Sequence, residues 1–344
     1  GRARPRPAQA PSADPPGISL IVCVRNEAEN LRRHLPSWLD QDYPNYELVI
    51  VDDGSTDESV KIILEYSLRF PTLRLVRLAG PTRPGKKEAL ARGISAARFE
   101  LLLVTDADCR PLSRKWISLI AGRFSANRAD LVLGYSPYAF RPGWLNRFQR
   151  YETVYTAIQY LSLALAGHPY MGVGRNLAYR HSLYERVGGF AGHGDLMSGD
   201  DDLFVNAASG LRPRVICELE RESFVQSAPG LTWRGYYRQK FRHNTAGSRY
   251  RPVHQFLLGS LAFSHAAIYL LGGWLLLGPA WPFIAALHLV RLAVIAVVWR
   301  SALDRLNGQR DLLRYLPFLD ALYVGYYFLF VPALMVPKSH QHWK

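Results

Sequence analysis

Between residues 17 and 140, apolar runs alternate with segments of helical spacing. ISLIVCV (18–24), ELVIVDD (47–53), LRLVRL (73–78), ELLLVTD (100–106) and DLVLGY (130–135) are short apolar runs, too short for buried helices, so each predicts a strand. Segments 27–39, 57–69, 86–97 and 113–125 place their apolar residues at helical spacing and predict the helices between them. Ser55-Thr56-Asp57-Glu58 reads as a capping box, with the Ser55 hydroxyl on the Glu58 amide and the Glu58 carboxylate reaching back. Regular alternation of strand and helix predicts an α/β domain with a mainly parallel central sheet covered on both faces.

Beyond residue 250 the pattern changes. Segments 256–278 and 280–299 are each long enough to cross a bilayer, which takes about 20 residues. From 253 to 299 the only charged residue is Arg291, which is expensive in lipid unless it snorkels or faces a protein interior. A third apolar stretch, 316–336, carries Pro317, Asp320 and Pro332. It either spans or lies as a re-entrant or interfacial segment; the basic tail PKSHQHWK after it prefers the cytoplasm, which favours the non-spanning position if only two helices precede it. The chain therefore divides into a basic, Pro-rich tether (1–16), a catalytic domain (17–250) and a membrane region (251–344). Opening on Gly rather than Met, it reads as trimmed or processed, with a preceding helix or signal left open.

A net charge of +14 over 344 residues would suggest nucleic acid if it formed a patch on a soluble fold. Here Ser223 to Leu303 contains no Asp or Glu, while Arg234, Arg238, Lys240, Arg242, Arg249 and Arg251 gather just before the apolar region. That is the placement of a cytoplasmic membrane flank, so the basic excess points to membrane lipids and anionic substrate, with no nucleic acid partner. Cys23, Cys109 and Cys217 are far apart, which fits a reducing compartment and no structural metal.

The chemistry lies at the strand ends. Asp52 and Asp53 close the second strand in VDDGST, and Asp106 and Asp108 close the fourth in VTDADC. Ligands of such sheets bind beyond the carboxyl ends of the strands. Carboxylates gathered there repel one another unless a cation or hydrogen-bond donors compensate. A divalent metal bridging to a diphosphate does so economically, while Asp52 and Asp53 suit a base or ribose. Singly, DDGS is an ordinary turn and DxD a common chance pair; both at the mouth of one sheet argue for function.

ISLIVCVRNEAENL, VIVDDGSTD, GKKEALARGI and LLVTDADC, in that order and spacing, resemble the amino-terminal half of a family 2 glycosyltransferase of the GT-A fold, over roughly residues 18–245. The resemblance implies a Rossmann-like nucleotide-binding domain followed by transmembrane helices. It implies nucleotide binding by Asp52, Asp53, Lys86 and Asp106, and Mg²⁺ or Mn²⁺ on Asp106 and Asp108. In SGDDDLF (198–204) it places the catalytic base on Asp200, with Asp201 as the alternate. In YYRQKFRH (236–243) it implies a QxxRW-like element, Gln239 and Arg242 at the acceptor or the departing diphosphate and His243 where the family has Trp. PYMGVGRNLAYRHSLYERVGGF (169–190) resembles the acceptor-side segment, with Gly172, Gly174 and Asn176 shaping its floor. His168, His181 and His193 have no ligand spacing and read as polar packing groups.

The reading that follows is an inverting transferase moving one sugar from a nucleotide-diphosphate sugar, UDP being the commonest in the family, to a lipid-linked or membrane-proximal glycan acceptor. Its expected location is a bacterial plasma membrane, with the catalytic domain in the cytoplasm. A processive polysaccharide synthase is the alternative. A nucleotidyltransferase and a non-catalytic scaffold fit the acidic motifs less well.

Overall fold

The structure, a computed structural model, describes residues 15–82, 86–196, 198–306 and 309–335. The basic tail and the tether up to residue 14 lie outside these residues. The chain forms two compact units, one of residues up to Ala139 together with Tyr160–Ala228, the other of Phe140–Gln159 with Pro229–Pro337.

The first unit is built on β1 (Ile18–Val24), β2 (Tyr46–Asp52), β3 (Leu73–Arg77), β4 (Leu101–Asp106), β5 (Cys109–Pro111), β6 (Leu131–Leu133), β7 (Leu177–Arg180), β8 (Val215–Cys217) and β9 (Val225–Ser227). Seven of these form one sheet in the order β3-β2-β1-β4-β7-β6-β8, and β5 pairs with β9 in a separate ribbon. β1, β2, β3 and β4 run parallel. β7 is antiparallel to both β4 and β6, so the sheet is mainly rather than wholly parallel. Nearly every residue of β1, β2 and β4 is buried, as expected of central strands covered on both faces.

The covering helices are α1 (Ala28–Leu39), α2 (Ser59–Ser67), α3 (Lys87–Ala96) and α4 (Trp116–Asn127), within two or three residues of the predicted spans. α5 (Trp144–Leu165) starts in the second unit and ends in the first, and α6 (His181–Val187) and α7 (Asp202–Ala208) complete the first unit. One core joins Ile18, Leu20, Val22, Leu48, Ile50, Leu101 and Leu103 to Trp38, Trp116 and Phe124 of α1 and α4. α3 approaches the sheet so closely that a Cβ on Gly93 would lie 2.7 Å from Cγ2 of both Ile21 and Val51.

The capping box does not form. Asp57 Oδ1 instead accepts from the Ser59 amide at 2.9 Å. The Ser55 hydroxyl accepts the Asn26 amide at 3.0 Å, and Glu58 pairs with Arg32 of α1. Ties between the β1–α1 and β2–α2 loops thus take the groups that a local cap would have used.

The second unit contains α8 (Trp233–Asn244), α9 (Pro252–Leu275), α10 (Trp281–Arg305) and α11 (Leu316–Phe330). It takes in residues 140–159 and 229–250, which the sequence pattern had assigned to the catalytic domain. The cause is packing: Phe148, Tyr151 and Val154 of α5 and Tyr236 of α8 share a core with Trp299, Leu303, Leu319 and Tyr323. Segments Pro252–Leu275, Trp281–Arg305 and Arg310–Leu334 are long and apolar enough to cross a membrane. Arg291 faces protein, donating to Asp320 Oδ2 at 2.7 Å, an atom that also accepts from the Tyr269 hydroxyl at 2.7 Å. α9, α10 and α11 are thereby tied by one polar cluster.

Candidate active site

Register brings the motifs of the first unit level. Val24 lies opposite Asp52 and Cys23 opposite Asp106, so Asp52 and Asp106 end neighbouring strands on either side of β1. At the usual strand spacing they stand about 10 Å apart.

The DDG turn has a fixed shape. Gly54 has φ +72°, and a Cβ there would meet backbone atoms of Gly80 and Pro81 at 2.8 Å, so only glycine fits. Asn26, itself at φ +56°, accepts the Thr56 amide at 2.8 Å and locks the two loops together. Asp52 Oδ1 accepts the Ser55 amide at 3.2 Å, and Asp53 Oδ1 accepts the Thr82 amide at 2.7 Å. Asp53 Oδ2 is buried with no donor. Burial raises the Asp53 carboxyl above its ordinary value, with the Thr82 hydrogen bonds opposing. A buried acceptor without a donor is the feature expected where a ligand N–H or O–H completes the set.

Lys86 stands one residue before α3 and links two motifs far apart in sequence. Its Nζ lies 2.5 Å from Asp106 Oδ1 and 3.1 Å from Asp200 Oδ2. Burial alone would lower this ammonium, and Asp106 and Asp200 outweigh it, holding it well above its ordinary range. The next residue, Lys87, is buried and donates to the carbonyls of His193 at 2.6 Å and Leu196 at 2.9 Å. It thereby anchors the loop that leads to Asp200. Sequence reading missed Lys87, because a second lysine in GKKEAL carries no mark of burial.

The acids of SGDDDLF have separate partners. Asp200 faces Lys86. Asp201 Oδ2 accepts the Gly174 amide at 2.8 Å and its Oδ1 the Asp202 amide at 2.7 Å, and Asp202 accepts from Leu203 at 2.7 Å. Burial, then the Asp200 charge, pushes the Asp201 carboxyl up to about 6.

Oxygens of Asp106 and Asp108 and the sulfur of Cys109 lie within 4.8 Å of one another. The two carboxylates fit a hard divalent cation that prefers oxygen. Cys109 does not fit: its thiol is soft, donates to Asp108 at 3.2 Å, and is pushed well above its ordinary pKa by burial and by Asp108. Burial and the neighbouring Asp106 also raise the Asp108 carboxyl. The β5–β9 ribbon begins immediately after Asp108 and fixes the end of the motif.

The segment before β7 connects these groups. Asn176 takes the Trp116 indole N–H at 3.0 Å and donates to the Tyr135 and Ser223 carbonyls, while the Arg175 carbonyl accepts from Thr105 at 2.7 Å. The Gly174 amide meets Asp201, and a Cβ on Gly172 would lie 2.8 Å from Leu177 and 3.3 Å from Leu133. The Arg175 guanidinium rests over the Tyr138 ring, 4.8 Å from its centroid. Of the histidines, His193 is buried, and burial followed by Lys87 lowers it to about 4. Gln239, Arg242 and His243 lie on α8 in the second unit, the first two half-buried and His243 exposed.

Residues 19–188 match glycosyl transferase family 2. The chain is 30% identical over 188 residues to glycosyltransferase AglE of Haloferax volcanii, covering 54% of this chain and 59% of that one. It is 26% identical over 186 residues to the probable glycosyltransferase YdaM of Bacillus subtilis, covering 51% and 43%. The chain thus spans about half the length of these curated relatives. Its fold is similar to that of the mannosyltransferase PcManGT from Pyrobaculum calidifontis, solved in complex with GDP-Man and Mn²⁺, with TM-score 0.56, 22% identity and coverage of 92% and 89%. Residues 19–188 thus match glycosyl transferase family 2, and the fold is a mainly parallel α/β sheet of the GT-A type.

Proposed function

We propose that this protein is an inverting, metal-dependent glycosyltransferase that moves one sugar from a nucleotide-diphosphate sugar to a hydroxyl of a lipid-linked or membrane-proximal acceptor. The observation that carries the reading is the Lys86 ammonium shared between Asp106 of the DxD and Asp200 of the later acidic motif. It joins a donor-side acid and a candidate base around one cation at the carboxyl edge of the sheet.

Asp52 and Asp53 receive the nucleoside, the unmatched Asp53 oxygen accepting from base or ribose. Asp106 and Asp108 hold Mg²⁺ or Mn²⁺, which supplies counter-charge to the diphosphate. Asp200 takes the proton of the acceptor hydroxyl as that oxygen attacks the anomeric carbon. The bond from that carbon to the diphosphate oxygen breaks on the opposite face, and the configuration inverts. Lys86 then stands beside the departing negative charge. Asp201 is the weaker base candidate because both its oxygens already accept backbone amides. Gln239, Arg242 and His243 are proposed to serve the acceptor or the diphosphate from α8. The apolar segments and the basic flank before them suit an acceptor held at the cytoplasmic face of a bacterial membrane.

The test is calorimetric titration of UDP and GDP into detergent-purified protein, with and without Mn²⁺. Metal-dependent binding of one of them is expected, and binding of neither overturns the reading. Asp200→Asn should keep that affinity while lowering kcat by roughly 10²–10⁴. Near-normal turnover in the variant would remove Asp200 as base.

A further inference from the structure

We propose that Arg175 is a donor-contacting residue whose guanidinium binds the diphosphate of the nucleotide sugar. The inference rests on the transferase reading above and adds a cation that the sequence motifs do not mark.

Two cations act electrostatically on the carboxylates of the DxD, and they differ in what they already hold. Lys86 is already ion-paired, its ammonium divided between Asp106 and Asp200. Arg175 is not: its Nη1 is buried with no acceptor. Asp108 and Asp106 lie within its electrostatic reach, yet among the described residues neither closes an ion pair with it. The aromatic face of Tyr138 supports the guanidinium and offers no oxygen to its N–H groups. Burying an unpaired N–H of a charged group is costly, and an arriving oxyanion removes that cost.

The backbone is arranged to hold such a side chain still. Gly174 N–H is fixed on Asp201, the Arg175 carbonyl on the Thr105 hydroxyl one residue before Asp106, and the Asn176 side chain by three hydrogen bonds. The residue between those anchors is thus fixed relative to both the DxD and the base motif. A planar fork of N–H donors suits two phosphate oxygens at once, which an ammonium cannot match. Next to a pair of carboxylates that fit a divalent cation, the anion in reach is the diphosphate.

The test compares UDP with UMP, and GDP with GMP, by calorimetry on the detergent-purified full chain in Mn²⁺. Arg175→Met should lose about tenfold to a hundredfold in diphosphate affinity, as for a charged hydrogen bond, with monophosphate affinity little changed. Arg175→Lys should recover part of the loss. Unchanged diphosphate affinity, or equal losses for mono- and diphosphate with a lowered melting temperature of the free protein, would overturn the inference and leave the transferase reading standing. Failure of the wild-type protein to bind either diphosphate would overturn both.

Discussion

SGDDDLF offers three acids in a row, and only their neighbours tell them apart. Asp200 points to Lys86, whereas Asp201 holds the backbone at Gly174 and Asp202. The Asp201 carboxyl is pushed from 3.8 to about 6, by burial first and by Asp200 second. A carboxyl that binds its proton more tightly when folded contributes stability that is full below its unfolded pKa and lost as pH rises through its folded one. The stability advantage of the wild type over Asp201→Asn should therefore shrink as pH rises from about 4 to about 6 and level off above. Thermal unfolding of both proteins across that range measures it, and a constant difference would refute the assignment. The acids at the strand ends were legible in sequence because their context, an apolar run ending in carboxylates, is local. Lys87 and Arg175 were not, since one basic side chain among 42 acquires its meaning from what surrounds it.

Strands β1 to β4 and helices α1 to α4 follow the apolar pattern closely, because central parallel strands need continuous apolar runs and covering helices an apolar stripe. β7, β8 and β9 were missed: three or four residues each, they carry no run long enough to mark them. Where elements meet, a single methyl group matters. Ala at Gly93 favours helix by about 1 kcal/mol, but its Cβ would press on Ile21 and Val51, β-branched residues with little freedom to turn aside. Overpacking of this kind costs about 1–3 kcal/mol, so Gly93→Ala should destabilise on balance. Since α3 begins one residue after Lys86, the same substitution should weaken metal-dependent nucleotide binding. Equal or higher stability in chemical denaturation would show that α3 has room to spare.

At the scale of the whole chain, sequence composition foresaw an α/β domain followed by an apolar region, but not where the compact units divide. The first part of α5 and Tyr236 of α8 share a core with the C-terminal helices, with aromatic contacts such as Tyr151 on Trp299, ring centroids 4.6 Å apart. Arg291, an expensive residue in an apolar segment, proves to be paired with Asp320 of α11. Removing Arg291 leaves the buried Asp320 carboxylate to the Tyr269 and Tyr151 hydroxyls and His265, and breaking a buried pair costs about 3–5 kcal/mol, whereas apolar replacement of both is often close to neutral. Arg291→Leu should thus lower the melting temperature in detergent more than Arg291→Leu with Asp320→Leu, and the reverse order would show that the pair does not hold these helices together. By itself the sequence determined the strand–helix alternation, the carboxylates at strand ends and the apolar segments, because each is set by neighbours a few residues away. Only the tertiary structure decided that Asp106, Asp200 and Lys86 meet, that Arg175 is left with an unmatched donor, and that Arg291 has a partner, because those contacts depend on strand order, register and packing between residues distant in the chain.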